Sequence, residues 1–181
     1  MKTLTKIFML LAFIAITSAG CNKAKDLLDV KFDADFETNL NVDIPAETMR
    51  NTDASFYQES TIDPQSNTEF AEYGSKIKEI EIKEVKATIL SINKEVVLET
   101  AEITVKSADL NPAVWTYTNE TLTVGKQLVM DNSNGQWDNV QTILDGQNAF
   151  TVSMGGTSDQ DDVQFTLLIE IKTSVTANPL N

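Results

Sequence analysis

Alternation of apolar and polar residues dominates this chain. Val30, Phe32, Ala34, Phe36, Leu40, Val42 and Ile44 hold even positions, while Asp29, Lys31, Asp33, Asp35, Glu37, Asn39, Asn41 and Asp43 hold odd ones. A period of two over this length predicts a strand with one buried face and one wet face. Thr38 interrupts the apolar row, which predicts a bend or bulge there, and Pro45 ends the run. A second long alternation sets Val163, Phe165, Leu167, Ile169 and Ile171 against Gln164, Thr166, Glu170 and Lys172. It predicts another half-buried strand, paired antiparallel with a strand at 149–154.

Between these runs the pattern changes several times. Residues 46–54 read as a loop, Ser55 to Ile62 as a short strand, and Asp63-Pro64 as a turn. Phe70, Tyr73 and Ile77 stand at helical spacing and predict a short helix in 67–78, loosened at Gly74. Ile80 and Ile82 begin a strand that Val85, Ala87 and Ile89 continue after a one-residue phase change, the mark of a bulge. Val97, Ala101, Ile103 and Val105 predict the next strand, joined through a hairpin at 91–95. Leu110-Asn111-Pro112 is a loop, followed by short β-like runs at 115–118 and 122–124 and a brief apolar run at 128–130. Asn134-Gly135 is a tight-turn dipeptide. Trp137, Val140, Ile143 and Leu144 then predict a two-turn helix with Gly146 as its C-terminal cap. Gly155-Gly156 is read as opening a polar loop through Asp162.

Seven or eight strands with two short helices make the chain all-β. The expected architecture is an antiparallel β-sandwich, Ig-like or related, with a closed β-barrel as the alternative. Residues 28–181 form one domain in this reading.

The first residues follow a different logic. Lys2 and Lys6 give a positive start, Ile7 to Ile16 is apolar and uncharged, and Ser18, Ala19 and Gly20 are small residues leading to Cys21. This is the layout of a secretory signal over residues 1–20. The apolar run is shorter than the roughly 20 residues a membrane-spanning helix needs. Small residues ending at a cysteine resemble the lipobox of bacterial lipoproteins, with Ser18 where that pattern prefers leucine. Looser lipoboxes are used by lipoproteins of Bacteroidetes type. The resemblance implies lipidation of Cys21, cleavage before it, and a lipidated tether over 21–27. Asn22 in place of the aspartate that favours inner-membrane retention implies the outer membrane. Without an acidic cluster directly after Cys21, the periplasmic face is favoured over the cell surface. The alternative is a soluble secreted protein with a free thiol. The body also resembles small β-sandwich lipoproteins of Bacteroidetes type, through the 67–78 segment leading into 79–92 and the closing stretch FTVSMGGTS…VQFTLLIEIKTSVTA.

Composition narrows the chemistry. Cleavage would remove two lysines and no acids, leaving 12 basic and 27 acidic residues and a net charge of −15. Such a domain lacks the footprint of a nucleic-acid binder, and anionic lipid would repel its surface. The chain has no histidine and a single cysteine. Ser–His–Asp and Cys–His catalysis, histidine-ligated zinc and internal disulfides are therefore excluded. No cofactor is expected, and oligomeric state is not legible.

Weak cation candidates remain. Asp159, Asp161 and Asp162 crowd a glycine- and serine-containing loop, with a solvated hairpin tip as the plainer reading. Asp33, Asp35 and Glu37 form a straight row that does not converge as calcium ligands must. Residues 131–135 carry oxygens in a calcium-like run, better explained as a tight turn. A paired-carboxylate hydrolase would need a cleft, for which Trp115, Tyr117 and Trp137 are the aromatic candidates. The expected function is a membrane-tethered, non-catalytic binding or structural module of the envelope, contacting a protein partner through loops at 107–121 and 155–162. The alternative is a carrier enclosing an apolar ligand among Phe32, Phe36, Leu40, Phe165, Leu167 and Ile169.

Overall fold

The computed structural model describes residues 28–46 and 54–180. Its strands are β1 (Val30–Ile44), β2 (Ala54–Ile62), β3 (Ile77–Ile92), β4 (Val96–Lys106), β5 (Ala113–Leu122), β6 (Gln127–Val129), β7 (Phe150–Ser158) and β8 (Val163–Ala177). The helices are α1 (Thr68–Tyr73), flanked by two short 3₁₀ turns, and α2 (Gln136–Asp145). Two antiparallel four-stranded sheets result, ordered β1-β8-β3-β6 and β2-β7-β4-β5. Both keep open edges, so the architecture is a sandwich and not the barrel alternative.

The long alternations become the inner faces. Ala34, Phe36, Leu40, Val42 and Ile44 on β1 are buried, as are Val163, Phe165, Leu167, Ile169 and Ile171 on β8. These rows pack against Phe56, Val152, Met154, Leu98 and Ile103 of the other sheet in one continuous core. The phase change in β3 is a register shift between Ile82 and Glu84 against β8. α1 is capped by Asn67, whose Oδ1 accepts from the Phe70 amide at 3.0 Å. It buries Phe70 edge-on against Phe36, with ring centroids 5.3 Å apart.

Several expectations are corrected. Thr38 makes no bulge, since β1 pairs with β8 without a register shift. Neither expected hairpin forms, because β3 and β8 lie in one sheet and β4 and β7 in the other. Both sides of β8 are occupied by β1 and β3, so β7 has no place beside it. Residues 93–95 and 159–162 instead carry the chain from sheet to sheet. Gly155-Gly156 lies inside β7 and opens no loop. A Cβ on Gly156 would collide with the Thr100 carbonyl oxygen, so this glycine permits close approach of β4 where its register shifts between Leu98 and Thr100. The run at 115–118 lies within one longer strand, β5, which ends at Leu122, so most of 107–121 is sheet and not loop, while 123–124 belong to the turn beyond it. Gly146 is the C-cap of α2 as expected, but it stays right-handed at φ −69°, and the left-handed residue is Gln147 at φ 53°. Gln147 is held there by its Nε2, which donates to the Gly74 carbonyl at 3.0 Å.

The sandwich has two distinct ends. Val30 pairs with Ala177 at one end, and Ile44 pairs with Val163 at the other. The first end carries Leu28, α1 and the 178–180 tail. The second carries the 93–95, 123–126 and 159–162 connections.

Candidate functional site

Cys21 lies outside the described residues. The three loop aspartates are described, and they do not converge. Asp159 serves Val97, donating its amide to the Val97 carbonyl at 3.0 Å and accepting from the Val97 amide at Oδ1 at 2.8 Å. Asp162 takes a left-handed φ of 52°, and its carbonyl accepts from Asn93 Nδ2 at 3.2 Å. Among the described residues no group of three or more acidic, cysteine or histidine side chains is gathered as a metal site. Asp33, Asp35 and Glu37 point outward from β1. In the 131–135 stretch, Asp131 Oδ1 accepts from the Ser133 amide at 3.3 Å and hydroxyl at 2.9 Å. Gly135 takes φ 76° at the start of α2. The run is a turn, as its sequence suggests.

Trp115, Tyr117 and Trp137 do come together, and Trp115 lines a hollow of about 310 Å³ that holds one carboxylate, Asp131. Each donates to a main-chain carbonyl of the 129–131 segment. Burial, with Asp131 and Glu120 nearby, raises the Tyr117 phenol above its ordinary range. The carrier candidates Phe36, Leu40, Phe165, Leu167 and Ile169 are buried in the core, with half-buried Phe32 against it.

Two surface features emerge from the pairing. The first is a groove of about 490 Å³ at the second end of the sandwich, on the outer side of the β1-β8-β3 sheet. Its polar walls are Asn41 and Asp43 from β1, Gln164 and Thr166 from β8, Ser91 from the end of β3 and Asn93 just beyond it. Thr166 Oγ1 donates to Asn41 Oδ1 at 3.0 Å, and Asn93 Oδ1 accepts from the Gln164 amide at 3.0 Å. These bonds fix the wall geometry. Asp43 is the one carboxylate of the lining, so the groove offers hydrogen bonds and no acid pair. The groove forms only where β1, β8 and β3 lie side by side, and alternation along the chain does not name strand neighbours.

Toward the first end, the same outer face is charged. Lys172 Nζ lies 3.1 Å from Glu84, and Lys86 Nζ lies 3.6 Å from Glu84 and 3.2 Å from Glu170. The hydrogen bond from Lys172 holds the Glu84 carboxyl below its usual range, and the reciprocal bond raises Lys172. Among the described residues no buried side-chain nitrogen or oxygen lacks a partner.

The second feature lies on the outer side of the β2-β7-β4-β5 sheet. Tyr57 on β2 is 60% exposed and pairs directly with Gly155. Beside it runs a trough of about 330 Å³. Its signal was legible: Phe56 sits in the apolar phase of β2, and Tyr57 sits in the polar phase with Ser55, Glu59 and Thr61.

No protein-family model matches the chain, and no curated protein matches it. Among solved structures it is similar to a chain of desmodium yellow mottle tymovirus, with 10% identity and a TM-score of 0.30 over 84% of this chain and 85% of that one.

Proposed function

We propose that the chain is a lipoprotein of the cell envelope, a non-catalytic binding or structural module held on the outer membrane by lipid on Cys21. The periplasmic face is favoured over the cell surface. The observation that carries this reading is the position of Cys21, directly behind a positive, apolar and small-residue leader. Several acyl chains at one amino terminus would make attachment effectively permanent, since each buried CH₂ contributes roughly 0.8 kcal/mol.

The geometry of the body supports a role in contact. β1 begins nine residues after Cys21 and runs 15 residues before ending beside the polar groove. At about 3.3 Å per residue, Asn41 and Asp43 lie on the order of 40 Å along the strand from the tether end. A tether at the first end would thus hold the groove away from the bilayer, toward an envelope partner. The acidic surface suits a basic protein partner and not nucleic acid. Burial of Phe36, Leu40 and Phe165 in one continuous core favours this module over a carrier.

Membrane fractionation of Cys21→Ser tests the anchor. Release into the soluble periplasmic fraction is expected. Retention of the variant in outer membrane after a high-salt wash would overturn the lipid anchor.

A further inference from the structure

We propose that the outer face of the β2-β7-β4-β5 sheet binds an uncharged saccharide chain, with Tyr57 as its stacking platform. The proposal deepens the binding-module reading without depending on the lipid anchor. Fractionation reads the anchor and glycan binding reads this face, so the two fail separately.

The first observation is the posture of Tyr57. Gly155, its cross-strand partner, carries no side chain, and a Cβ there would lie 3.1 Å from the ring carbon Cδ2. The glycine therefore lets the ring settle against the sheet. Its hydroxyl donates to Glu59 Oε2 at 2.7 Å, which fixes the ring before any ligand arrives. A preorganised aromatic loses little freedom on binding. Edge-strand tyrosines often cover a glycine for stability alone, but that role leaves unexplained what lies beside this one.

The second observation is the chemistry of the row through Gly155. Across the sheet, Tyr57, Gly155, Glu102 and Thr116 stand in register. Three strand spacings separate Tyr57 from Thr116, about 14 Å, longer than a single pyranose ring. Thr100 and Thr118 flank the trough, and Thr100 Oγ1 is hydrogen-bonded to Thr157 Oγ1 at 2.9 Å. A sugar presents apolar C–H faces for the aromatic ring and hydroxyls for threonines and a carboxylate. This row supplies both kinds of contact.

The third observation is charge. The opposite outer face carries the Glu84, Lys86, Glu170 and Lys172 network. The trough holds a single charge, Glu102, on a protein whose acidic residues outnumber its basic ones 27 to 14. Glu59, which holds Tyr57 and lies 3.9 Å from Lys106, is the other carboxylate at the platform. The row thus sets an aromatic face and threonine hydroxyls beside two carboxylates, a set that suits a neutral polyol, while the net charge repels anionic glycans.

Affinity electrophoresis of the full chain in detergent tests the idea, with dextran, laminarin, xylan and glucomannan as probes and polygalacturonate as the anionic control. Retardation is expected in at least one neutral polysaccharide and none in polygalacturonate. Tyr57→Ala should weaken that binding by about tenfold or more, as loss of an aromatic anchor does. Tyr57→Phe should keep most of it, because the ring face remains. Tyr57 is exposed, and matching melting curves establish that the variants fold. No retardation in any neutral probe overturns the proposal, and so does equal binding by Tyr57→Ala. A concentration-dependent dimer abolished by Tyr57→Ala, without glycan retardation, would assign the face to a second copy instead.

Discussion

The indole nitrogens of Trp115 and Trp137 donate to the carbonyls of neighbouring residues, Trp115 to Asp131 and Trp137 to Met130, each at 2.8 Å. Tyr117 adds its hydroxyl to the Val129 carbonyl at 2.9 Å. Three aromatic donors thus serve three consecutive carbonyls and hold the β6–α2 connection against β5. Trp115 is only 4% exposed, so its N–H requires a partner in the protein.

Trp115→Phe keeps much of the ring and removes the N–H, leaving the Asp131 carbonyl without this donor. Urea denaturation should register a loss of about 1–3 kcal/mol, from the lost bond and the smaller ring. Tyr117→Phe should lose about 1 kcal/mol at most, because only a hydroxyl is removed. Equal stability of Trp115→Phe and the parent would mean that the clamp contributes nothing.

Gly156→Ala should be among the costly surface-sheet changes. The new Cβ meets the backbone of Thr100 and Ala101, which cannot swing aside as a side chain can. A loss of about 1–3 kcal/mol is expected, as for overpacking. Gly155→Ala meets chiefly the Tyr57 ring and the Phe56 carbonyl at over 3 Å, so a smaller loss is expected. Thermal melting of the two variants checks the order.

How much of this was legible depends on what each feature rests on. The β1 and β8 alternations read directly, because side-chain direction along a strand has a fixed period. The β3 bulge read as well, since it shifts that period between Ile82 and Val85. Strand neighbours did not read: alternation names a face but not a partner, and both expected hairpins proved to be crossings between sheets. Gly155-Gly156 signals special backbone, which reads as the start of a loop in sequence but serves a close strand approach in the fold. The aromatic clamp was invisible because its acceptors are main-chain carbonyls, which every residue possesses.

Acid should weaken the fold through specific pairs. Hydrogen bonds from lysines lower the carboxyls of Asp29 (Lys78), Glu81 (Lys83) and Glu84 (Lys172). A lowered folded pKa contributes stability that is present above the unfolded value, about 4, and lost as pH falls through the folded value. Glu81 is exposed, and Asp29 and Glu84 are half-buried at the surface, so salt screens the effect. The midpoint temperature should stay level from neutral pH to about 5 and fall below about 4. Glu84→Gln should flatten that fall, and added salt should flatten it in the parent. A fall equally steep in Glu84→Gln would place the acid sensitivity elsewhere.

Thr38 and Ser60 offer the sharpest test of how the two sheets are joined. Each interrupts the inward apolar row of its strand, Thr38 on β1 and Ser60 on β2. β1 and β2 lie at the edges of different sheets, yet the two hydroxyls meet at 2.7 Å. The polar break that resembled a bulge in sequence is a bond closing one side of the sandwich. Either hydroxyl can donate, so each satisfies the other in a half-buried place. Removing one leaves the second to find water or go unpaired, while removing both leaves nothing to satisfy. Thr38→Val and Ser60→Ala should therefore each lose about 1 kcal/mol. The double variant should lose less than the sum of the singles, with a coupling of about 0.5–1.5 kcal/mol. Urea denaturation of all four proteins completes the cycle. Strict additivity would mean that solvent satisfies both groups equally well and that the edge is held by packing alone.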